Sequence, residues 1–351
     1  MIGLSAHDTA RVDAAIAASL DRLQQRSAPL GDGPAALAQA AAAAGAHGKR
    51  LRPALVVASF RTFGGEPGTA LWQVAAAFEL LHTAFVVHDD LIDRDLERRG
   101  APNVAGRFRT RARAFGAGDA ESATVGDAAA VLAGDLLLFE ATRLIATAHT
   151  ADDVRDRLFA ILDDAILVSA AGELADVENA ALGDVPDTEA LLGAAHDKTA
   201  TYSFEAPLVA GAVLGGASPA AQQELATAAA DLGLAFQLVD DLIGTFGTRG
   251  QAGREPGADL REAKRTPLIG LARRSGAWPR VSSAIAVAHT GPIAVRRAQR
   301  ELEASGARDD LVALVRASLQ RARARSAAPA IPSATVALLA DIATAIEERI
   351  P

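Results

Sequence analysis

The chain has 351 residues, half of them apolar and 22% charged, with a net charge of −8. That is ordinary for a globular protein and long enough to bury a large core. Aromatic residues make up only 4% and the balance is acidic, so neither base stacking nor a phosphate-backbone partner is expected and nucleic acid is excluded. The absence of cysteine excludes thiolate chemistry, disulfides and Cys-ligated zinc. The first residues, MIGLSAHDTARVDAA, lack the basic and then apolar segments of a signal peptide. No apolar run reaches the ~18–20 residues that span a bilayer, and a soluble, cytoplasmic protein is expected.

In chain order, helix formers dominate. PAALAQAAAAAGAHG from Pro34, AAAFELLHTAFVV from Ala75 and LATAAADLGLAFQLVDDLI from Leu225 are rich in Ala, Leu and Gln, which favour helix. Apolar residues recur three and four apart, as at Phe78, Leu81, Phe85 and Val86, the pattern of one helix face. Breaks fall at GDGP from 31, FGGEPG from 63, GGASP from 215, GQAGREPG from 250 and AAPAIP from 327. Each is short and followed by more helix, so none reads as a domain linker. No useful alternating strand pattern and no internal repeat is present. Residues 100–126 are weakly patterned, with Arg107, Arg109, Arg111 and Arg113 at alternate positions, and read as a solvated loop. The expectation is one all-α domain over 1–351 with ten or more packed helices.

The stretch ELLHTAFVVHDDLIDRDLERRG from position 79 sets Asp89, Asp90, Asp93 and Asp95 after an apolar run, with Arg98 and Arg99 behind. On a helix, positions 89 and 93 share a face one turn apart, and anions stacked there repel unless a cation lies between them. A solvated charged surface gives the pattern too, although such surfaces usually mix signs at i,i+4. A second pair, Asp240 and Asp241 in LAFQLVDDLIG, closes another apolar segment, which suggests facing carboxylate clusters across a cavity. Hard oxygen clusters suit Mg²⁺ shared with substrate phosphates. Zinc spacing is absent, so His88 reads as a packing or supporting residue.

Cations that could pair with phosphate lie on four segments: Lys49, Arg50 and Arg52 in GKRLRP, Arg98 and Arg99 in RRG, Lys198 beside Thr199, and Lys264 with Arg265 and Thr266. GKRLRP lacks the spacing of a phosphate-cradling Walker motif. Singly, each is an ordinary helix-end or loop charge. Together, and beside two acidic clusters, they fit a metal–diphosphate site.

These segments resemble the motifs of the trans-isoprenyl diphosphate synthases, or polyprenyl synthetases, in the family's order. GKRLRP, DDLID with its trailing RRG, KTATYSFEAPL, FQLVDDLIG and GADLREAKRTP carry the resemblance, from 48 to 267. It implies the isoprenoid synthase fold, an all-α single large bundle around a deep apolar cavity, usually homodimeric. It also implies a Mg²⁺-dependent prenyltransferase that condenses isopentenyl diphosphate with an allylic diphosphate.

By the same resemblance, Asp89 and Asp93, assisted by Asp90, should ligate two Mg²⁺ ions, and Asp240, supported by Asp241, a third. Arg98, Lys198 and Lys264 are expected at the allylic diphosphate. Arg254 in GREPG stands where the family commonly has a lysine for that group. Lys49, Arg52, His82 and Arg99 are expected at isopentenyl diphosphate, and Thr199 and Gln237 along the reacting carbons. In this family, bulk at the positions of Ala84 and Phe85 sets how far the tail extends, with Phe85 either a floor or an ordinary core residue. C20 geranylgeranyl diphosphate is the expected product and C15 farnesyl diphosphate the alternative. Gly244 stands where many relatives carry a third aspartate, and Gly244→Asp is expected to change activity little. Two other classes are a terpene cyclase and a non-catalytic subunit of a heteromeric synthase. GKRLRP, RRG and the second acidic pair argue against the first, and the intact DDLID against the second.

Overall fold

The computed structural model describes residues 3–46, 48–181, 183, 185–252 and 255–351. Among them the chain is helical nearly throughout, and it divides into two compact units. One comprises 3–160 with 213–215, the other 161–212 with 216–351.

The first unit holds α1 (Ala6–Ser27), α2 (Asp32–Gly45), α3 (Leu51–Thr62), α4 (Thr69–Ile92), α5 (Val104–Ala114), α6 (Asp119–Ala146) and the start of α7 (Asp152–Ala181). At its centre α4 packs against α6, α3 and α1 and buries Trp72, Phe78, Leu80, Leu81 and Ala84. By length and composition this helix could cross a membrane, contrary to the expectation that no run is long enough. However, 72% of its most apolar window is buried inside the protein, as in a core helix.

Ion pairs, each with at least one buried member, tie the surrounding helices together. Ser5 caps α1, accepting the Asp8 N–H at 3.1 Å and donating to Asp8 Oδ2 at 2.7 Å. Asp8 also accepts both ends of the Arg61 guanidinium, at 2.7 and 2.8 Å, which joins α1 to α3. Arg50 sits at the N-cap of α3 in the left-handed conformation (φ 52°). Its guanidinium donates to Asp13 on α1 and Glu79 on α4, both at 2.9 Å, and to the Gly45 carbonyl at 3.2 Å. Arg50 therefore belongs to the scaffold, although the sequence groups it with candidate phosphate partners. Pro53 lies in the first turn of α3, where a missing N–H costs nothing.

The stretch expected as a loop contains α5. Asn103 caps it by accepting the Gly106 N–H at 2.9 Å, and Val104, Phe108 and Ala112 are buried at four-residue spacing. Its arginines pair outward, Arg109 with Asp127 and Arg113 with Asp119, both at 2.9 Å. The alternating arginines masked a narrow stripe of four buried apolar positions, Ala105 included.

The second unit holds the rest of α7, α8 (Thr188–Ala195), a π-helical segment (His196–Glu205), most of α9 (Ala206–Leu214), α10 (Pro219–Phe246), α11 (Arg249–Ala252), α12 (Ala258–Arg261), α13 (Pro267–Arg273), α14 (Trp278–Ala286), α15 (Pro292–Ala304), α16 (Ala307–Ser326) and α17 (Ser333–Glu347). α10 is its hub, packed by α16, the π-helical segment, α17 and α12. Small residues let the π-helical segment approach both neighbours. A Cβ on Gly172 of α7 would lie 2.1 Å from the Lys198 nitrogen, and one on Gly233 of α10 would lie 2.6 Å from the Ala200 Cβ.

Arg61's hydrogen bonds, chiefly, hold the Asp8 carboxyl below its ordinary value against the opposing effect of burial. A carboxyl depressed in the folded state adds stability that is complete above its unfolded value and is lost as pH falls through the folded one. Asp8→Asn should therefore cost about 1–3 kcal/mol at neutral pH. The gap from wild type should begin to narrow near pH ~4, the unfolded value, and close only below the depressed folded value, as urea unfolding at a series of pH values would show.

Candidate active site

α4 ends inside the first acidic segment. Asp89 and Asp90 lie in its last turn, Asp93 is its C-cap, and Arg94 follows at φ 60°. The Arg94 N–H donates to the Leu91 carbonyl at 3.1 Å and the Asp95 N–H to that of Asp90 at 2.8 Å. This is a Schellman ending, usually built on glycine. A helix C-terminus carries partial negative charge, so carboxylates collected there need cations.

A hairpin supplies one. Glu97–Arg98 pairs antiparallel with Ala101–Pro102, a short strand pair that no sequence pattern announced. Arg99 and Gly100 form its turn at φ 55° and 75°, as a tight two-residue hairpin turn requires. The turn brings Arg98 back to α4, with Nε 2.7 Å and Nη2 2.6 Å from Asp90 Oδ1 and Nη2 3.7 Å from Asp89 Oδ2. Asp90 is buried; burial pushes its carboxyl up, while Arg98 pulls it down. Asp90 is thus the anchor of Arg98, whereas Asp89 is half-buried and Asp93 exposed.

Two turns earlier on α4, burial, and then the charges of Arg52, Arg98 and Arg99, push the His82 imidazole well below its ordinary value. Three arginines selected from sequence therefore form one cationic neighbourhood around the imidazole of a fourth selected residue. Lys49 is exposed just before α3. His88 Nε2 lies 3.3 Å from the Val131 carbonyl oxygen on α6, in the expected packing role. Ala84 is fully buried and Phe85 half-buried.

In the second unit, Asp240 and Asp241 lie within the last two turns of α10. Asp241 is buried and accepts Gln237 Nε2 at 2.9 Å. Burial, then the charge of Asp259, pushes its carboxyl well up, against the Gln237 hydrogen bond. Asp240 is half-buried and ion-paired with Arg349. Lys198, at the π-helical segment, holds Asp176 Oδ2 at 2.8 Å and Glu173 Oε2 at 3.1 Å on α7, with Thr199 half-buried beside it. After α12, Ala263 takes φ 54° and the Lys264 N–H donates to the Asp259 carbonyl at 2.9 Å. Lys264 Nζ is 3.6 Å from Glu262 Oε2. Arg254 lies outside the described residues. Arg349 and Asp259 were not singled out from sequence, since neither stands in an acidic or basic run.

Among the described residues, no three His, Asp or Glu groups are arranged to hold a metal ion by themselves. Accessible hard oxygens in an incomplete set fit Mg²⁺, which keeps waters and shares substrate phosphates, better than an ion needing a closed protein cage.

The polyprenyl synthetase family model matches residues 34–289. The chain belongs to that family. A short-chain isoprenyl diphosphate synthase from Methanothermobacter thermautotrophicus is 32% identical over 224 residues, covering 64% of this chain but only 62% of the relative. A geranylfarnesyl diphosphate synthase from Aeropyrum pernix is 30% identical over 314 residues, 87% of this chain and 91% of that one. The crystal structure of a geranylgeranyl pyrophosphate synthase from Corynebacterium glutamicum, complexed with isoprenyl diphosphate and magnesium, covers 96% of this chain and 97% of its own. Its TM-score is 0.88 at 27% identity. The all-α isoprenoid synthase fold expected from the motifs is therefore the fold observed.

At Gly244, where the resemblance implies a third aspartate, this polyprenyl synthetase has little room for a side chain. A Cβ there would lie 1.8 Å from Asp259 Oδ2 and 2.5 Å from its Cγ, and Asp259 is itself buried. The expectation for Gly244→Asp concerns activity; for packing, no side chain fits at this position until the Asp259 carboxylate moves. Gly244→Ala should cost about 1–3 kcal/mol, the usual range for overpacking, and Asp259→Ala in the same chain should recover part of it. Chemical denaturation of the single and double variants checks both.

Proposed function

We propose that the chain is a Mg²⁺-dependent short-chain trans-prenyltransferase, condensing isopentenyl diphosphate with an allylic diphosphate, and that residues 1–351 act as one polyprenyl synthetase domain. One observation carries this reading. A neutral His82 stands among Arg52, Arg98 and Arg99, on the same helix that presents Asp89 and Asp93 at its negative end. Guanidiniums alone would suit any anion. Combined with accessible carboxylates, they suit a diphosphate that arrives with its metal.

In this reading Asp89, Asp93 and Asp240 hold Mg²⁺, three ions in all, with Asp90 and Asp241 in support. Bound there, the metal neutralises charge that develops on a departing diphosphate. Arg98, Lys198 and Lys264 grip the allylic diphosphate, with Arg254 in the family's lysine position, and Lys198 exchanges its acidic partners to do so. Lys49, Arg52, Arg99 and His82 hold isopentenyl diphosphate through charge-assisted hydrogen bonds. The allylic C1–O bond breaks, the isopentenyl double bond attacks C1, and the released diphosphate takes the proton lost from the new chain. Thr199 and Gln237 line the reacting carbons, and apolar walls keep water from the carbocation.

The names of the relatives disagree on chain length, running from short-chain to geranylgeranyl and geranylfarnesyl synthases. The product reading therefore rests on Ala84 and Phe85. One small and one bulky residue favour C20 geranylgeranyl diphosphate over C15 farnesyl diphosphate. A homodimer is supported by α6, where Val125, Leu132 and Phe139, seven residues apart, remain exposed as an apolar strip of the kind that interfaces cover.

Incubation with labelled isopentenyl diphosphate, an allylic starter and Mg²⁺ tests the reaction. The label should enter an elongated product, and Asp89→Ala, its fold checked by circular dichroism, should lower turnover by several orders of magnitude. Near-normal turnover in that variant would overturn the metal assignment. A cyclised hydrocarbon without label would mean a terpene cyclase, and no product from the chain alone a non-catalytic subunit.

Chromatography of dephosphorylated products tests chain length. Phe85→Ala should lengthen the main product and Ala84→Phe should shorten it. Ala84 has no exposed surface, so the second variant also costs about 1–3 kcal/mol of stability and is compared per folded enzyme. An unchanged distribution in both would show that the tail runs elsewhere.

A further inference from the structure

Asp240 is already engaged, and its partner comes from the far end of the chain. Arg349 lies just beyond α17, with its N–H donating to the Ile346 carbonyl at 3.1 Å. Its guanidinium donates to Asp240 Oδ1 and lies 4.5 Å from the centroid of the Phe236 ring, one turn earlier on α10. Its Nη1 is buried without a hydrogen-bond partner, so the contact leaves one donor unsatisfied. Farther along α10, Arg308 lies over the Phe246 ring at 5.5 Å and donates to the Pro351 carbonyl oxygen. Segment 349–351 is thereby held at two places along the helix that carries the second acidic pair.

A carboxylate near the negative end of a helix gains from any cation. Arg349 supplies one positive charge through hydrogen bonds of fixed direction, whereas a divalent ion supplies two at a point. An ion on Asp240 would set two positive charges beside the single charge of the guanidinium, and like charges so close repel. A monovalent, incompletely satisfied partner on a half-exposed acid is also weakly held, since such pairs contribute ~0–1 kcal/mol.

We propose that Arg349 is a positioning residue that holds Asp240 before metal and diphosphate arrive, and that their binding displaces it and releases segment 349–351. The inference rests on Asp240 being a metal-holding residue, as proposed above. In this scheme Arg349 competes with the ion for Asp240.

Hydrogen–deuterium exchange on the full chain tests the release, with calorimetric titration of Mg²⁺ plus inorganic diphosphate as the second readout. In wild type, Mg²⁺ with diphosphate should speed exchange in peptides covering 347–351. Arg349→Gln should show fast exchange there without any addition and bind Mg²⁺–diphosphate about two- to five-fold tighter, the most that removing so weak a competitor gives. Arg349→Lys, which keeps the charge, should fall between. Unchanged exchange in wild type, or equal or weaker binding by Arg349→Gln, would overturn the proposal. Asp240→Asn separates the two levels. If it abolishes binding while both Arg349 variants bind as wild type, displacement alone is wrong. If it binds as wild type, the metal reading of Asp240 fails and displacement with it.

Discussion

The C-terminal end of an α-helix carries about half an elementary negative charge. Carboxylates placed there are repelled by the backbone as well as by each other. α4 carries Asp89, Asp90 and Asp93 at this end, whereas Asp240 and Asp241 lie a turn farther in on α10 and feel the effect less. No packing advantage explains the choice, because acids at a helix start would be favoured by the same field. The arrangement makes sense if positive charge is meant to be recruited, and much of the local backbone serves that end. Arg94 and Arg99 adopt left-handed conformations, each costing about 1–2 kcal/mol for a residue with a Cβ. The first stops α4 at the acids, and the second folds the hairpin that returns Arg98 to them.

In each pair one acid is locked and the other left accessible. Asp90 is buried under Arg98, and Asp241 is buried under Gln237. Asp89 and Asp240 remain partly exposed. The buried member fixes the geometry of the helix end, and burial favours its uncharged form. That division answers why an Asp–Asp dipeptide occurs twice where one ligand would suffice. It also gives Gln237 a structural duty beside its proposed position along the reacting carbons, since its amide supplies the hydrogen bond that opposes the upward shift of Asp241.

The acidic segments and the helical class were legible because their signals are local. DDLID and LVDDLIG state their spacing outright, and Ala-rich periodic runs leave little choice of secondary structure. What stayed hidden depended on distant partners. Arg50 looks like its neighbours in GKRLRP, and only Asp13 and Glu79 make it part of the scaffold. α5 was concealed because its few buried apolar residues are interleaved with four arginines. Gly244 reads as a missing ligand until Asp259, fifteen positions on, fills its space. Arg349 lies more than a hundred residues from Asp240, with no motif to mark it. The π-helical turn that presents Lys198 depends on Gly172 and Gly233 in two other helices.

The central claim is that these acids form incomplete sites that a diphosphate completes. Thermal unfolding of the wild-type chain under four conditions tests it directly: no addition, Mg²⁺ alone, inorganic diphosphate alone, and both together. A ligand that binds only the folded state stabilises it by about 2.7 kcal/mol at a hundred times its dissociation constant. No three acidic or imidazole groups among the described residues form a cage of their own. The account therefore predicts a melting temperature raised by a few degrees with both together and by little with either alone. An equal rise with Mg²⁺ alone, or none with both, would contradict it.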